Sequence, residues 1–282
     1  MSRIAIITDS TANLPGDLIE RYQIGIAPQV LIWEGETFYD EVDITADEFY
    51  KRLQTSDEVP TTSQATIASF LELFEPHVKV GNPIVAILVS DELSGTIQSA
   101  VQAKESFPGA IIEIIDSRSI AMAMGFQVLA AARAAEEGRS FNEVVDVAEQ
   151  AKDRTGVVFV VDTLEYLHKG GRIGGAANLL GTALSLKPLL QVNDGIVDSL
   201  ERVRTKAKAC DRLIDIIDER VSDQQPVRIA ALHAASLDEA EALLDKTKDR
   251  CNPDELMITD VGPVVGTHAG PGTVGIAYCA GI

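Results

Sequence analysis

Hydroxyl side chains stand at the expected starts of two helices, where they can bind an anion. Thr62 and Ser63 form one group, and Ser94, Gly95 and Thr96 form the other. Free backbone N–H groups and the positive end of the helix dipole attract an anion there, and a hydroxyl adds a hydrogen bond. Two such starts that converge would form a carboxylate or phosphate site. Serine and threonine are also the preferred N-cap residues, so helix capping alone is the competing interpretation.

A histidine lies in a segment rich in glycine and proline. His268 falls in the run at residues 266–272, which predicts a loop rather than the interior of a strand. Glycines allow a backbone to approach a ligand closely, and an imidazole can hydrogen-bond an anion. A solvated turn histidine is the simpler alternative. The remaining histidines, His77, His168 and His233, lie in segments with fewer residues that could bind a ligand, and we interpret them as structural.

Basic side chains provide further candidate contacts. Arg172 lies in a glycine-rich run at residues 169–175 that lacks both the Walker spacing and the G-x-G-x-x-G spacing. Taken alone, this run predicts a turn between helices with an exposed arginine. Arg202 and Arg204 begin a short basic island in an acidic chain. Such a group is usually a solvated face, but it can also contact an acidic partner or a phosphate.

Two enzyme alternatives remain open. Ser94, His268 and Asp116 are compatible with a lipid hydrolase triad, because triads are recognised by geometry and not by chain order. The nucleophile elbow G-x-S-x-G is absent, since Glu92 and Leu93 precede Ser94. A phosphotransferase that uses the glycine-rich loops is the second alternative. The sequence has no H-E-x-x-H run, no Cys/His cluster and no acidic calcium loop, so it predicts neither a metal site nor a bound cofactor.

Composition limits the class of protein. The chain has 282 residues, which suits two domains, and its 46% apolar and 24% charged residues are typical of a globular protein. A net charge of −19 repels phosphate backbones, so nucleic acid is not an expected partner. The three cysteines, far apart in sequence, fit reduced thiols in a cytoplasm. The N-terminal run MSRIAIITDS contains neither a signal-peptide nor a membrane-spanning pattern, so we expect a cytoplasmic protein.

Short apolar runs that alternate with helical patterns must position these side chains. The runs predict strands near residues 4–8, 26–33, 84–90, 111–115 and 157–161. Helices are expected at residues 94–106 and 120–137, and from the Thr62 segment through Phe74. This alternation favours an α/β fold with a mainly parallel sheet covered by helices on both faces. The hydroxyls and carboxylates then gather at the carboxyl ends of the strands, where such sheets bind ligands.

The pattern changes near Asp162. Residues 188–192 and 196–203 flank the sequence Asn-Asp-Gly, which predicts a β-hairpin. Helices near residues 205–219 and 237–248 and a strand near residues 227–233 follow. We therefore divide the chain into an N-terminal domain over residues 1–161 and a C-terminal domain over residues 162–282.

Taken together, these segments resemble the DegV family of bacterial fatty-acid-binding proteins over essentially the whole chain. Each matching motif is weak alone, whereas eight motifs in the same order are specific. The motifs are TDSTANLP at residues 8–15, TSQ at 62–64, LSGT at 93–96, IDS at 115–117, DTLEYL at 162–167, GGRI at 170–173, KP at 187–188 and HAGPG at 268–272.

The resemblance implies a fold and a ligand. The fold is an N-terminal three-layer α/β/α domain with a mainly parallel sheet, joined to a C-terminal α/β domain with a mixed sheet, with a lipid tunnel between or beside them. The ligand is a long-chain, palmitate-like fatty acid whose carboxylate is held by Thr62 and Ser94. His268 is expected close to the carboxylate and Arg172 at the same end. The neighbouring Ser63, Gly95 and Thr96 complete the expected ligand-binding group.

The resemblance also implies a partner. Members of the family hand the bound acid to a separate ATP-using fatty acid kinase, so this chain is expected to be a carrier without catalytic residues. Arg172, Arg202 and Arg204 are then expected to contact the kinase or a phosphate. Two positions depart from the family pattern: Ala65 replaces the usual proline after T-S-Q, and Ala269 replaces the usual threonine of H-T-G-P-G.

Overall fold

A computed structural model of the chain describes residues 3–180 and 187–282. The strands are β1 (Ala5–Asp9), β2 (Gly25–Ala27), β3 (Val30–Trp33), β4 (Glu36–Tyr39), β5 (Thr61–Ser63), β6 (Ile84–Leu88), β7 (Ile112–Asp116), β8 (Thr155–Val160), β9 (Lys187–Asn193), β10 (Ile196–Val203), β11 (Val227–His233), β12 (Glu255–Asp260) and β13 (Val274–Ala280). The α-helices are α1 (Gly16–Tyr22), α2 (Ala46–Leu53), α3 (Ile67–Lys79), α4 (Thr96–Glu105), α5 (Ala121–Glu136), α6 (Phe141–Ala151), α7 (Glu165–Lys169), α8 (Lys206–Val221), α9 (Leu237–Cys251) and α10 (Pro263–Ala269).

A parallel sheet with the strand order β2-β1-β6-β7 forms the first layer. Its central strands β1 and β6 are buried along their whole length, as expected when helices cover both faces. Alternate side chains of β1 point to opposite faces: Ile7 packs in one core with Phe70 of α3, whereas Ile6 packs in another with Phe126 of α5. The expected three-layer arrangement is therefore present.

A small antiparallel sheet, β4-β3-β5, stands beside the parallel sheet. Helix α2 packs on it, with the rings of Trp33 and Phe49 5.4 Å apart. The helix begins with a capping box in which Thr45 and Glu48 satisfy each other's backbone N–H groups. This sheet matters for the site because its edge strand β5 carries Thr62.

The second half of the chain forms a mixed sheet in the order β10-β9-β8-β13-β11-β12. Helices α8 and α9 supply side chains to the core on one face of this sheet. Helix α5 packs between the two large sheets, so Ile87 of β6 and Leu232 of β11 belong to the same hydrophobic cluster. The fold class expected from the sequence, a parallel sheet plus a mixed sheet with covering helices, is confirmed.

The predicted β-hairpin is also present, between β9 and β10. Asp194 and Gly195 at its turn have φ angles of 48° and 85°. Both are positive, as a two-residue type I′ turn requires. Within residues 3–180 and 187–282, no helix combines the length and apolar character that a membrane crossing needs.

The strand at residues 155–160 was grouped with the first half of the chain, but it belongs to the mixed sheet. It pairs with β13 and β9, both antiparallel. The chain therefore changes sheets between Asp116 and Thr155, earlier than the expected boundary between residues 161 and 162. A buried apolar strand has the same sequence pattern in a parallel sheet and in a mixed sheet. The sequence therefore did not show to which sheet residues 155–160 belong. The domain boundary itself stays a prediction.

Three local expectations were wrong. The run at residues 26–33 is divided into β2 and β3, which lie in different sheets. Thr62 is not at a helix start, because residues 61–63 pair with β3 and α3 begins only after its N-cap Thr66. His268 lies in the last turn of helix α10 rather than in a loop, since Pro263 starts this helix and Gly270, with φ 78°, ends it.

Candidate functional site

A cavity of about 180 Å³ lies between the carboxyl edge of the parallel sheet and the inner face of the mixed sheet. Its walls are mainly aliphatic, with Val89 and Ile120 from the first half of the chain and Val157, Val192 and Leu232 from the mixed sheet. Apolar walls of this kind suit a hydrocarbon chain. The position agrees with the expectation that polar groups after the parallel strands surround a ligand site.

Polar side chains converge on one part of this wall. Thr62 comes from the edge strand β5, Ser94 precedes α4, His268 lies at the end of α10 and Arg172 follows α7. Ser63 and Gly95 also line the cavity. Elements far apart in sequence thus bring together most of the residues that the sequence suggested.

Thr62 and His268 are in direct contact. The Oγ1 atom of Thr62 lies 2.8 Å from the Nε2 atom of His268. Burial, followed by the nearby charge of Arg172, lowers the pKa of His268 from 6.5 to about 4, so the imidazole is neutral at pH 7. Its buried Nδ1 has no hydrogen-bond partner among the described residues. A buried N–H without an acceptor is costly, so we assign the proton to Nε2, which donates to Thr62. The hydroxyl proton of Thr62 is then free for a ligand.

The other ring nitrogen of His268 faces the backbone of Gly170. A Cβ atom at position 170 would overlap the Nδ1 atom of His268. Glycine is therefore required at position 170 so that the imidazole of His268 can lie close to the backbone. The backbone angle does not require glycine, since φ of Gly170 is −75°. The glycine-rich run at residues 169–175 therefore packs against the histidine.

Arg172 is fixed at the same end of the cavity. Its Nε donates to the backbone carbonyl of Leu93 at 3.0 Å, and its Nη1 donates to that of Gly170 at 2.9 Å. No carboxylate within residues 3–180 and 187–282 pairs with it. A guanidinium held by neutral carbonyls keeps its full charge available to an anion. Arg172 thus lies in the cavity wall, at the end where the family resemblance expects it, whereas its glycine-rich run taken alone predicted an exposed turn residue.

Ser94 belongs to a buried polar network. Its Oγ lies 2.9 Å from the Oγ1 of Thr96, which accepts a hydrogen bond from Gln29 at 2.8 Å. Thr96 is buried and does not line the cavity, so it supports Ser94 from behind instead of facing a ligand. Gln64 packs its side-chain amide over Gly95, about 3.1 Å from where a Cβ atom would stand.

Arg202 and Arg204 lie outside this site. Both are exposed, at the end of β10 and just after it, and neither lines the cavity. Their expected contact with a partner or a phosphate stays a prediction.

The geometry of a Ser94, His268 and Asp116 triad is not met. His268 contacts Thr62 rather than Ser94, and its Nδ1 has no carboxylate partner in the part of the chain that the structure describes. Asp116 is engaged with Arg118, accepting from its backbone N–H at 2.8 Å. A triad needs one hydrogen bond from the base to the nucleophile and another from the base to the acid. Within the described parts of the chain, no group of three or more His, Cys, Asp or Glu side chains is placed to hold a metal ion.

Sequence reasoning missed two supporting residues. Gln29 was assigned to the interior of a long strand, whereas it lies between β2 and β3 and lines the cavity. Asp9 was noticed only as part of a polar run after β1, yet it is fully buried. A glutamine in an otherwise apolar run was the one signal that pointed to Gln29.

Comparison with known proteins gives a consistent result. A family model described as an uncharacterised DegV family matches residues 3–281. A DegV domain-containing protein of Clostridium perfringens is 39% identical over 279 residues, which is 98% of each chain. The structure of a fatty-acid-binding DegV family protein from Thermus thermophilus is 32% identical with a TM-score of 0.93, covering 99% of each chain. A stearic-acid-binding protein of Eubacterium ventriosum is 25% identical with a TM-score of 0.91, covering 99% of this chain and 98% of that one.

The match spans both sheets and the cavity between them, and the polar end of that cavity is built from the motifs on which the resemblance rested. The chain belongs to the DegV family.

Proposed function

We propose that this protein binds a long-chain fatty acid, with the acyl chain in the aliphatic cavity and the carboxylate at Thr62 and Ser94. The observation that carries the proposal is the meeting of two hydroxyls, a neutral His268 and Arg172 at one end of an apolar cavity. Among the described residues, Arg172 has no carboxylate partner. Fatty-acid binding by the Thermus thermophilus and Eubacterium ventriosum proteins supports it.

The two ends of the site have different tasks. At about 0.8 kcal/mol per buried methylene, a palmitate-like chain of roughly fourteen methylenes gains on the order of 11 kcal/mol before ordering costs. Burial of the chain therefore supplies most of the affinity. Hydroxyl donors and the Arg172 charge select a carboxylate over an uncharged head group.

The proposal includes a role as a carrier rather than an enzyme. Presentation of the bound acid to a separate ATP-dependent fatty acid kinase follows from the family resemblance, and the exposed Arg202 and Arg204 provide a basic surface for such a contact. A cytoplasmic location belongs to the same proposal and is supported by three free cysteines.

Mass spectrometry of the purified protein under denaturing conditions tests the proposal. We expect wild type to release a long-chain fatty acid. Val192→Trp, which fills the cavity from the hairpin, should release much less. Ile196→Trp is the matched control, because Ile196 lies in the same hairpin but is 37% exposed. Wild-type protein that carries no fatty acid and binds none when it is added would refute the proposal.

A further inference from the structure

Behind Ser94, a buried carboxylate anchors a chain of hydrogen bonds. Asp9, at the end of β1, is fully buried. Its Oδ2 accepts from the backbone N–H of Val89 at 2.8 Å, and its Oδ1 accepts from the backbone N–H of Thr11 at 3.0 Å and from the Thr11 hydroxyl at 2.5 Å. Gln29 Nε2 approaches the same Oδ1 at 3.3 Å. Both carboxyl oxygens therefore act as acceptors.

This arrangement fixes the orientation of the Gln29 side chain. Because the Asp9 oxygen accepts, Gln29 must present its NH₂ group and not its carbonyl. An amide NH₂ only donates, so its 2.8 Å contact with Thr96 Oγ1 has Thr96 as the acceptor. Gln29 is 2% exposed, and its backbone N–H is held by Ser10 Oγ at 3.1 Å, so there is little freedom to rotate.

The hydrogen bond between Thr96 and Ser94 also has a defined direction. A hydroxyl oxygen can accept two hydrogen bonds, so the contact with Gln29 does not by itself set the direction. Thr96 is buried, however, and among the described residues its hydroxyl proton has Ser94 Oγ, 2.9 Å away, as its acceptor. Ser94 then accepts from Thr96, and its proton has no other acceptor within the described residues. Ser94 lines the cavity, so this proton is directed to whatever occupies the head-group site.

We propose that Asp9 and Gln29 are positioning residues that fix Ser94 as a hydrogen-bond donor and thereby make the head-group site selective for an acceptor-only carboxylate. The inference rests on the proposed function. The ordered sequence of donors is Gln29 N–H to Thr96, Thr96 O–H to Ser94, and Ser94 O–H to the ligand. A fatty alcohol lacks the charge that strengthens the last bond, so it binds less tightly.

Reversing the hydrogen bond between residue 29 and Thr96 should also reverse the one between Thr96 and Ser94. In Gln29→Glu, the new carboxyl group lies beside that of Asp9, and both are buried. Two negative charges at this distance repel each other strongly, so the two groups share one proton, which lies between them. The oxygen that replaces Nε2 then accepts from Thr96. Thr96 in turn accepts from Ser94, which withdraws the Ser94 proton from the cavity and turns a lone pair toward the ligand.

The test measures dissociation constants for palmitate and for hexadecanol, the alcohol with the same chain. For Gln29→Glu, we expect palmitate affinity to fall about ten- to hundredfold, the range for one hydrogen bond to a charged group, while hexadecanol affinity is unchanged or rises. Gln29→Met, which interrupts the chain without reversing it, should cause a smaller loss for palmitate. Equal weakening of both ligands would overturn the inference, because a merely loosened cavity acts on both alike.

A second pair of variants keeps the test decisive if Gln29→Glu does not fold. Thr96→Val removes the middle hydroxyl and should lower the ratio of palmitate to hexadecanol affinity. Thr96→Ser, which restores a hydroxyl, should recover most of that ratio. An unchanged ratio in Thr96→Val would refute the inference even if the wild type binds palmitate. Wild type that binds neither ligand would instead refute the proposed function.

Discussion

The Nε2 atom of His268 lies 2.8 Å from the Oγ1 atom of Thr62, although 206 positions separate the two residues in sequence. One comes from the small antiparallel sheet and the other from helix α10, which connects β12 and β13 of the mixed sheet. The contact orients the Thr62 hydroxyl while the polar network behind Ser94 orients the second hydroxyl. In the proposed arrangement of donors, both hydroxyl protons are directed to the cavity.

Removing either hydroxyl should weaken binding without unfolding the protein. Thr62→Ala and Ser94→Ala each delete one hydrogen bond to a charged acceptor, worth about 1.5–3 kcal/mol, so affinity should fall roughly ten- to hundredfold. A fluorescent fatty-acid titration measures this. Thr61→Ala is a matched control, because Thr61 is the exposed neighbour in the same strand and does not line the cavity. Unchanged affinity in both variants would remove the head-group assignment.

The isolated chain should show no esterase activity. Across residues 3–180 and 187–282, His268 has neither the serine nor the carboxylate contact of a triad base. Wild type and His268→Ala should therefore hydrolyse acyl esters at the same background rate. A general base contributes about 10²–10⁴-fold, so a robust rate that depends on His268 would be easily detected and would overturn the carrier proposal.

The stability of the protein should depend on pH through His268. Its pKa is about 4 when folded and 6.5 without the fold, so between these values only the unfolded chain binds a proton. Lowering the pH from 7 to 5 should therefore lower the free energy of unfolding by roughly 1–2 kcal/mol through this group. Urea unfolding of wild type and His268→Gln at both pH values isolates this contribution. A difference between the two proteins that does not change with pH would contradict it.

Gly170→Ala should disturb the site through the imidazole. The backbone angle at 170 suits alanine, but the new methyl group would overlap Nδ1 of His268, which is held by Thr62 on its other side. We expect weaker fatty-acid binding and a lower Tm. Gly16→Ala is the control, since no described residue beyond its own neighbours and local helix backbone lies within 4 Å of a Cβ atom placed there. The double variant Gly170→Ala/His268→Ala should recover much of the Tm, and failure to do so would place the overlap elsewhere.

The three arginines should separate into two groups. Arg172→Ala should weaken fatty-acid binding about tenfold or more, because it removes a cation from the cavity wall. It should also raise the pKa of His268, measurable by NMR titration, since the Arg172 charge helps to lower it. The double change Arg202→Ala/Arg204→Ala should leave binding intact and slow acyl-phosphate formation by a kinase, mainly through association rate. Equal loss of lipid binding in both would place the exposed pair in the site.

Local sequence patterns determined the elements and the chemistry of the site. Buried β-rich runs predicted β1 and β6, and Asp194-Gly195 predicted the hairpin, because these signals depend only on nearby residues. The motifs likewise singled out Thr62, Ser94 and His268, which do line one cavity. The types of side chain in the site were therefore predictable, together with the fold class.

Only the tertiary structure decided which elements are neighbours and which way each polar group faces. The strand at residues 155–160 pairs across the mixed sheet, and Thr62 lies on a strand because β3 offers it a partner; both depend on residues distant in sequence. The positions of Arg172 in the cavity wall and of Thr96 behind Ser94 also depend on contacts between distant elements or on side-chain packing, which local sequence patterns do not encode. The proposed roles of Asp9 and Gln29 depend on their burial in the folded protein. Water in contact with these groups could replace either hydrogen-bond partner, and the direction of the hydrogen bonds would then not be fixed.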